Sequence, residues 1–129
     1  MTQRILIVDD EPNIVISLEY LMKREGYEVT VATDGEGALE ALPRVVPDLV
    51  ILDVMLPRLN GFDVCRRIRA EPRWRGLKIL MLTAKGRETE VARGLEVGAD
   101  AYVTKPFSTR ELVAQIGAML GTPAEAGHR

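Results

Sequence analysis

Short apolar runs alternate along the chain with longer stretches in which apolar residues recur at helical spacing. Ile5-Leu6-Ile7-Val8 is continuously apolar and rich in β-branched residues, as a strand buried on both faces should be. Asp10-Glu11-Pro12 follows, and proline is well suited to a first helical turn. Ile14, Leu18, Leu21 and Met22 then repeat at helical spacing up to a stop at Gly26. Glu28 to Ala32 predicts a second strand. Asp34-Gly35 turns into a helix carrying Ala38, Leu39 and Leu42, whose end Pro43 and Pro47 leave open. Leu49 to Leu52 predicts a third strand, followed by a loop through Pro57 and Gly61. A third helix is marked by Phe62, Cys65 and Ile68 and terminated by Glu71-Pro72. Lys78 to Leu82 predicts a fourth strand, Glu88 to Val97 a fourth helix bounded by Gly98, and Ala101 to Val103 a short fifth strand. Ser108 can cap a fifth helix, with Glu111 at the reciprocal capping-box position and Leu112, Val113, Ile116 and Leu120 on its buried face. One domain over residues 4–120 is expected, with the small, polar segment from Gly121 to Arg129 as a flexible tail.

Five strands interleaved with five helices imply a parallel sheet covered on both faces. The expected architecture is α/β and doubly wound, with strand order 2-1-3-4-5. In such a sheet all strand C-termini lie along one edge, and chemistry-bearing residues collect there. The first strand runs into Asp9-Asp10, the third into Asp53, the fourth into Thr83, and the fifth leads to Lys105. The winding reverses between the first and third strands, which is where such sheets open a ligand crevice. Three carboxylates, a hydroxyl and an ammonium are thereby brought to one cleft.

Composition narrows the field. With 129 residues, 47% hydrophobic and 28% charged, the chain can close one core and is not of disordered type. A formal net charge of -2 gives no general attraction to nucleic acid or anionic membrane. The single cysteine, Cys65, excludes an intramolecular disulfide and a cysteine-cluster metal site, and suits a reducing cytoplasm. Apolar runs are strand-sized, so no membrane span is expected, and Met1 to Arg4 leads into a strand without a signal-peptide core.

Three neighbouring carboxylates repel one another, and a hard divalent cation relieves that repulsion. Oxygen ligands in small number favour Mg²⁺, with Mn²⁺ as the alternative, over Zn²⁺. With a metal in place, a carboxylate can attack phosphorus and carry an aspartyl phosphate. The charge on the transferred oxygens then needs partners, and Lys105, the Thr83 hydroxyl and nearby backbone N–H groups can supply them.

The chain resembles the receiver domain of bacterial two-component response regulators over essentially all of Arg4 to Leu120. The matching pieces are Ile5-Leu6-Ile7-Val8-Asp9-Asp10-Glu11, Asp53-Val54-Met55-Leu56-Pro57 with Gly61, Leu82-Thr83-Ala84, Gly98-Ala99-Asp100 and Lys105-Pro106-Phe107. The resemblance implies the flavodoxin-like receiver fold and a signalling switch rather than an enzyme with a separate substrate. It implies Asp53 as phosphoacceptor for a histidine kinase or phosphotransfer protein. Asp10 would bind Mg²⁺ directly, Asp9 through water, and the Met55 backbone carbonyl as a further ligand. Thr83, the Ala84 N–H and Lys105 would contact the phosphoryl group, a cis Lys105-Pro106 bond is expected, and Tyr102 takes the aromatic switch position. Output would pass to an effector protein or an output domain, since nothing after Leu120 resembles one. The Arg93, Glu96, Asp100 and Glu111 pattern is similar to receivers that dimerise through the fourth helix, fifth strand and fifth helix. Ala101 and Gln115, however, replace an acid and an arginine often found there.

Singly, each of these residues has a plainer reading: Asp9 and Asp10 as helix N-terminal acids, Thr83 as a strand-end hydroxyl, Tyr102 as packing. Their convergence at a single crevice favours the chemical one. Arg66, Arg67, Arg69, Arg73 and Arg75 around Trp74 read as a solvated face and loop beside a local hydrophobic plug. Cys65 reads as buried filler, and His128 has no assigned role. Two other functions are weighed. An aspartyl-nucleophile hydrolase usually presents a second acid two residues after the nucleophile, where Met55 stands. A flavodoxin-like cofactor binder would have its phosphate repelled by Asp9-Asp10-Glu11.

Overall fold

The computed structural model describes residues 2–84, 92–93 and 96–121. Its elements run β1 (Arg4–Val8), α1 (Pro12–Arg24), β2 (Glu28–Ala32), α2 (Gly35–Val45), β3 (Leu49–Asp53), α3 (Gly61–Ala70), a 3₁₀ turn (Pro72–Trp74), β4 (Lys78–Ala84), β5 (Ala101–Lys105) and α4 (Thr109–Leu120). All neighbouring strands pair in parallel, in the order β2-β1-β3-β4-β5. The helix expected over Glu88 to Val97 lies largely outside the described residues. Ala92, Arg93 and Glu96 are helical, and the Val97 N–H donates to the Arg93 carbonyl at 3.1 Å.

The unbroken apolar strands are explained by a core on each side of the sheet. Leu6, Val8, Val50, Leu52, Ile79 and Met81 point to one face, where they pack with Ala38 and Leu42 of α2 and Val64, Cys65 and Ile68 of α3. Ile5, Ile7, Leu49, Ile51, Leu80 and Leu82 point to the other, against Leu18 and Met22 of α1 and Leu112 and Ile116 of α4. Each central strand therefore alternates between two apolar layers and has no solvent face.

Helix boundaries follow local chemistry. The Asp34 carboxylate caps α2 by accepting from the Gly37 N–H at 2.6 Å, the Asn60 amide oxygen caps α3 through the Asp63 N–H at 3.0 Å, and the Ser108 hydroxyl caps α4 through the Glu111 N–H at 3.3 Å. Pro43 does not end α2. It sits in the final turn, which closes through Val46 N–H to Leu42 C=O at 2.8 Å, with Val46 left-handed at φ 50°. β4 and β5 run longer than expected, because Thr83 pairs with Thr104 and Ala84 with Lys105. Thr83, Ala84 and Lys105 are thus set by strand register rather than by loops.

One expectation about the arginine-rich stretch is corrected. Arg69 is not on a solvated face. Its guanidinium donates to Gly98 C=O at 2.9 Å, Trp74 C=O at 3.0 Å and Asp100 Oδ2 at 2.8 Å, and the same Asp100 oxygen accepts from the Ile79 N–H at 2.8 Å. A planar fork with three acceptors joins α3, the 3₁₀ turn and both approaches to the sheet. Asp100 Oδ2 is therefore engaged within the chain, while its side chain keeps 36% of its surface exposed. Cys65 is fully buried, and burial pushes its thiol up to about 11. The neutral thiol stabilises the fold fully below its unfolded value near 9, and that contribution is lost as pH rises toward 11. Native protein at pH 8 should resist iodoacetamide, with about one thiol in a thousand ionised, and should react once urea unfolds it. Rapid native alkylation would contradict this.

Candidate functional site

The carboxyl edges of β1, β3, β4 and β5 meet at the switch of winding between β1 and β3. Asp9 follows β1 and is fully buried. Its backbone N–H donates to Ala32 C=O at 3.2 Å, and its Oδ1 accepts from the Glu11 N–H at 2.9 Å, forming a turn that fixes the side chain at the strand end. Asp53 closes β3 at 4% exposure, and its Oδ1 accepts from the Met55 N–H at 3.3 Å and from Lys105 Nζ at 3.3 Å. Lys105 Nζ also lies 3.2 Å from Asp9 Oδ2. That approach is off the hydrogen-bonding directions, so Asp9 Oδ2 is near a positive charge yet has no directed donor among the described residues. Asp10 is exposed beside them, and one carboxylate oxygen from each of Asp9, Asp10 and Asp53 falls within 4.8 Å of the others.

The electrostatics are those of a crowded acidic crevice. Burial raises the Asp53 pKa, the Asp9 charge raises it further, and Lys105 and the Met55 N–H pull it back only in part. Burial would depress Lys105, but the Asp53 and Asp9 charges override it and hold the ammonium above its ordinary value. Three carboxylates against one ammonium leave two formal negative charges, the charge of one divalent cation. The donor set is all oxygen, and one of its buried atoms lacks a directed partner, so these residues fit Mg²⁺ or Mn²⁺.

Of the other expected residues, Thr83 is buried in β4 one residue beyond Leu82, the register partner of Asp53, and Ala84 ends that strand. The Lys105–Pro106 peptide is cis. Met55 is 58% exposed and Tyr102 is 43% exposed on β5.

Sequence reasoning under-read the loop after Asp53. Val54 donates to Leu82 C=O at 3.0 Å, and its own carbonyl accepts from Leu56 N–H at 3.1 Å and Gly61 N–H at 3.0 Å. A Cβ on Gly61 would overlap the Asp53 carbonyl oxygen and lie 2.8 Å from Val54 Cα. Only glycine lets α3 start against the strand end that carries Asp53. Arg58, left-handed at φ 63°, ties the same loop to the α2 cap through Asp34 Oδ2 at 3.2 Å. The glycine's fixed distance after Asp53 was the available signal; the Arg58–Asp34 pair left none.

A buried aspartate beside a lysine in an acid-lined crevice at the switch point marks a doubly wound α/β protein with a site suited to a divalent cation. Comparison with known proteins makes the assignment specific: the family described as the response regulator receiver domain matches residues 5–117, and this chain belongs to it. It is accordingly a signalling switch of the kind that accepts phosphoryl groups in phosphorelays. The alkaline phosphatase synthesis transcriptional regulatory protein PhoP of Bacillus subtilis is 50% identical over 120 residues, which cover 93% of this chain and 49% of that protein. The DNA-binding response regulator MtrA of Mycolicibacterium smegmatis is also 50% identical over 120 residues, covering 93% of this chain and 51% of MtrA. The chain thus spans about half the length of these relatives. Among solved structures, a response regulator from Chloroflexus aurantiacus superposes with TM-score 0.91 at 40% identity, covering 94% of this chain and 99% of that one. The receiver domain of a Pseudomonas aeruginosa sensor histidine kinase superposes with TM-score 0.86 at 32% identity, covering 95% of this chain and 100% of that one. Its structure holds a magnesium ion coordinated in the active-site cleft.

Proposed function

We propose that Asp53 is the residue of this chain that receives the phosphoryl group, in a reaction requiring Mg²⁺ bound by Asp10, Asp9, Asp53 and the Met55 carbonyl. The observation that carries this reading is the Asp53 carboxylate, buried at the β3 terminus and grouped with Asp9 and Asp10 around a lysine ammonium. The magnesium ion in the Pseudomonas relative's cleft supports the metal assignment. When bound, the cation neutralises the acidic crevice and draws charge from the phosphoryl oxygens.

The chain's own residues do the rest. Lys105 and the Met55 N–H hold the Asp53 carboxylate in one orientation. An Asp53 oxygen attacks phosphorus, the bond from phosphorus to the donor breaks, and the donor leaves with that electron pair. Its source is a phosphohistidine of a sensor kinase or phosphotransfer protein. Lys105, the Thr83 hydroxyl and the Ala84 N–H bind the transferred oxygens. Thr83, drawn inward, vacates space for Tyr102, which biases the surface of β5, α4 and the segment before Gly98 toward its signalling form. The greater length of PhoP and MtrA suits a receiver unit over residues 4–120 that acts through an output domain or a separate effector protein. Among the described residues no helix is long and apolar enough to cross a membrane, and a cytoplasmic location suits a partner of sensor kinases. Association between copies through the helix before Gly98, β5 and α4 would draw on Arg93, Glu96, Asp100 and Glu111, with Asp100 also bonded to Arg69.

Incubation with acetyl phosphate should give an acid-stable, base-labile label of one phosphoryl group per chain. Borohydride reduction should place it at Asp53, and chelation by EDTA should abolish it. A label at another residue, or one indifferent to EDTA, overturns the assignment; an unchanged Tyr102 NMR environment in the labelled protein overturns the switch. Once formed, the acyl phosphate should be long-lived. Met55 flanks the acceptor and offers no group to orient a hydrolytic water, so a lifetime of minutes or longer is expected and one of seconds would contradict it.

A further inference from the structure

We propose that the groove between the C-terminal halves of α2 and α3 docks a segment of a partner protein in which carboxylates flank a bulky apolar side chain. The groove encloses about 290 Å³ over a floor of Leu39, Leu42, Pro43, Ile68 and Trp74, enough for an anchoring leucine or phenylalanine and its neighbours. Helices that follow parallel strands run back along them, so this site lies at the opposite end of the sheet from Asp53. It does not rest on the phosphoryl reading.

The charge around the floor sets the class of occupant. Arg67 and Arg73 line the groove, and Arg44 and Arg75 stand one residue beyond Pro43 and Trp74. The acid in the lining is Glu71, so two guanidiniums face one carboxylate across the apolar floor. Elsewhere in this stretch the arginines are paired, Arg66 with Asp63 at 3.2 Å and Arg69 with Asp100 at 2.8 Å. Among the described residues Arg44, Arg67, Arg73 and Arg75 make no ion pair, and Arg73 instead lies 4.5 Å over the Trp74 ring. Guanidiniums left with open donor forks around an apolar floor complement carboxylates flanking an apolar anchor. Nucleic acid is disfavoured, because the floor offers no base-reading groups, Glu71 lies in the lining, and the chain carries a formal net charge of -2.

Trp74 is the chain's one tryptophan and reports directly on the groove. The probe is a twelve-residue peptide of glutamate and leucine with a central phenylalanine, titrated into the full chain while Trp74 emission and backbone amide shifts are followed. Saturable changes centred on Leu39, Arg67 and Trp74 are expected. The charge-reversed double variant Arg67→Glu/Arg73→Glu should bind about tenfold or more weakly. Both positions are exposed and outside the cleft, so the variant should stay folded and its Asp53 labelling should match wild type, which separates failure here from failure of the phosphoryl reading. The proposal is overturned if the peptide leaves Trp74 and its neighbours unmoved, or if the double variant, while folded, binds as wild type does. It is equally overturned if peptides with serine for the phenylalanine and leucines, or glutamine for glutamate, bind as well, or if a DNA duplex competes for the same residues.

Discussion

Asp53→Asn is expected to do two opposite things: abolish phosphoryl incorporation and make the metal-free protein more stable. The first follows from chemistry. An amide oxygen of nearly the same shape keeps the packing but is not a competent nucleophile, so labelling from acetyl phosphate should fall by about a thousandfold or more. The second follows from the raised Asp53 pKa, which burial and then Asp9 cause against the weaker pull of Lys105. An acid held above its unfolded value favours the fold while protonated and loses that advantage as pH rises through the folded pKa. At neutral pH the charged Asp53 therefore works against folding. Asparagine removes the charge, and each kcal/mol relieved in a domain of this size raises the thermal midpoint by about 3–6 °C. The gap between variant and wild type should shrink toward pH 4 and again when Mg²⁺ is added at pH 7. A variant less stable than wild type at pH 7 without metal would show that Lys105 outweighs burial and Asp9.

Gly61→Ala is expected to be the most damaging small substitution outside the crevice. At an ordinary early helical position, alanine in place of glycine is favourable by up to about 1 kcal/mol. Here the new methyl group would meet the Asp53 carbonyl oxygen and Val54 Cα, both backbone atoms held in register by β4. Neither can rotate away, so the strand end or the start of α3 must shift. A cost of about 1–3 kcal/mol in stability is expected. Displacing the peptide that carries Asp53 should also slow phosphorylation by about tenfold to a hundredfold. Gly76→Ala is the control: a Cβ there meets nothing within 4 Å, and the change should be neutral in both assays. Equal effects at the two glycines would remove the argument for close approach at Gly61.

The sheet order and the convergence of Asp9, Asp10, Asp53, Thr83 and Lys105 were readable in the sequence for one reason. The central strands are buried on both faces, which makes them continuous apolar runs, and parallel winding puts their ends on one edge. What escaped the reading depends on contacts between distant segments. Arg69 looked like its solvated neighbours Arg66 and Arg67, because a periodic pattern cannot reveal that Gly98, Trp74 and Asp100 offer it acceptors. Pro43 and Pro47 left the end of α2 open, and what decides it is a final turn closed by Val46, in which the missing N–H of Pro43 costs little. The lengths of β4 and β5 were underestimated because pairing across strands, absent from any local signal, extends them to Ala84 and Lys105.

The position of Lys105 bears on how the protein behaves when divalent ions are scarce. Its ammonium stands between Asp9 and Asp53 as a tethered placeholder, so an empty crevice is never left with bare anions facing one another. A divalent ion brought to these carboxylates would meet oxygens that already share one positive charge, so Lys105 and the ion would compete for them.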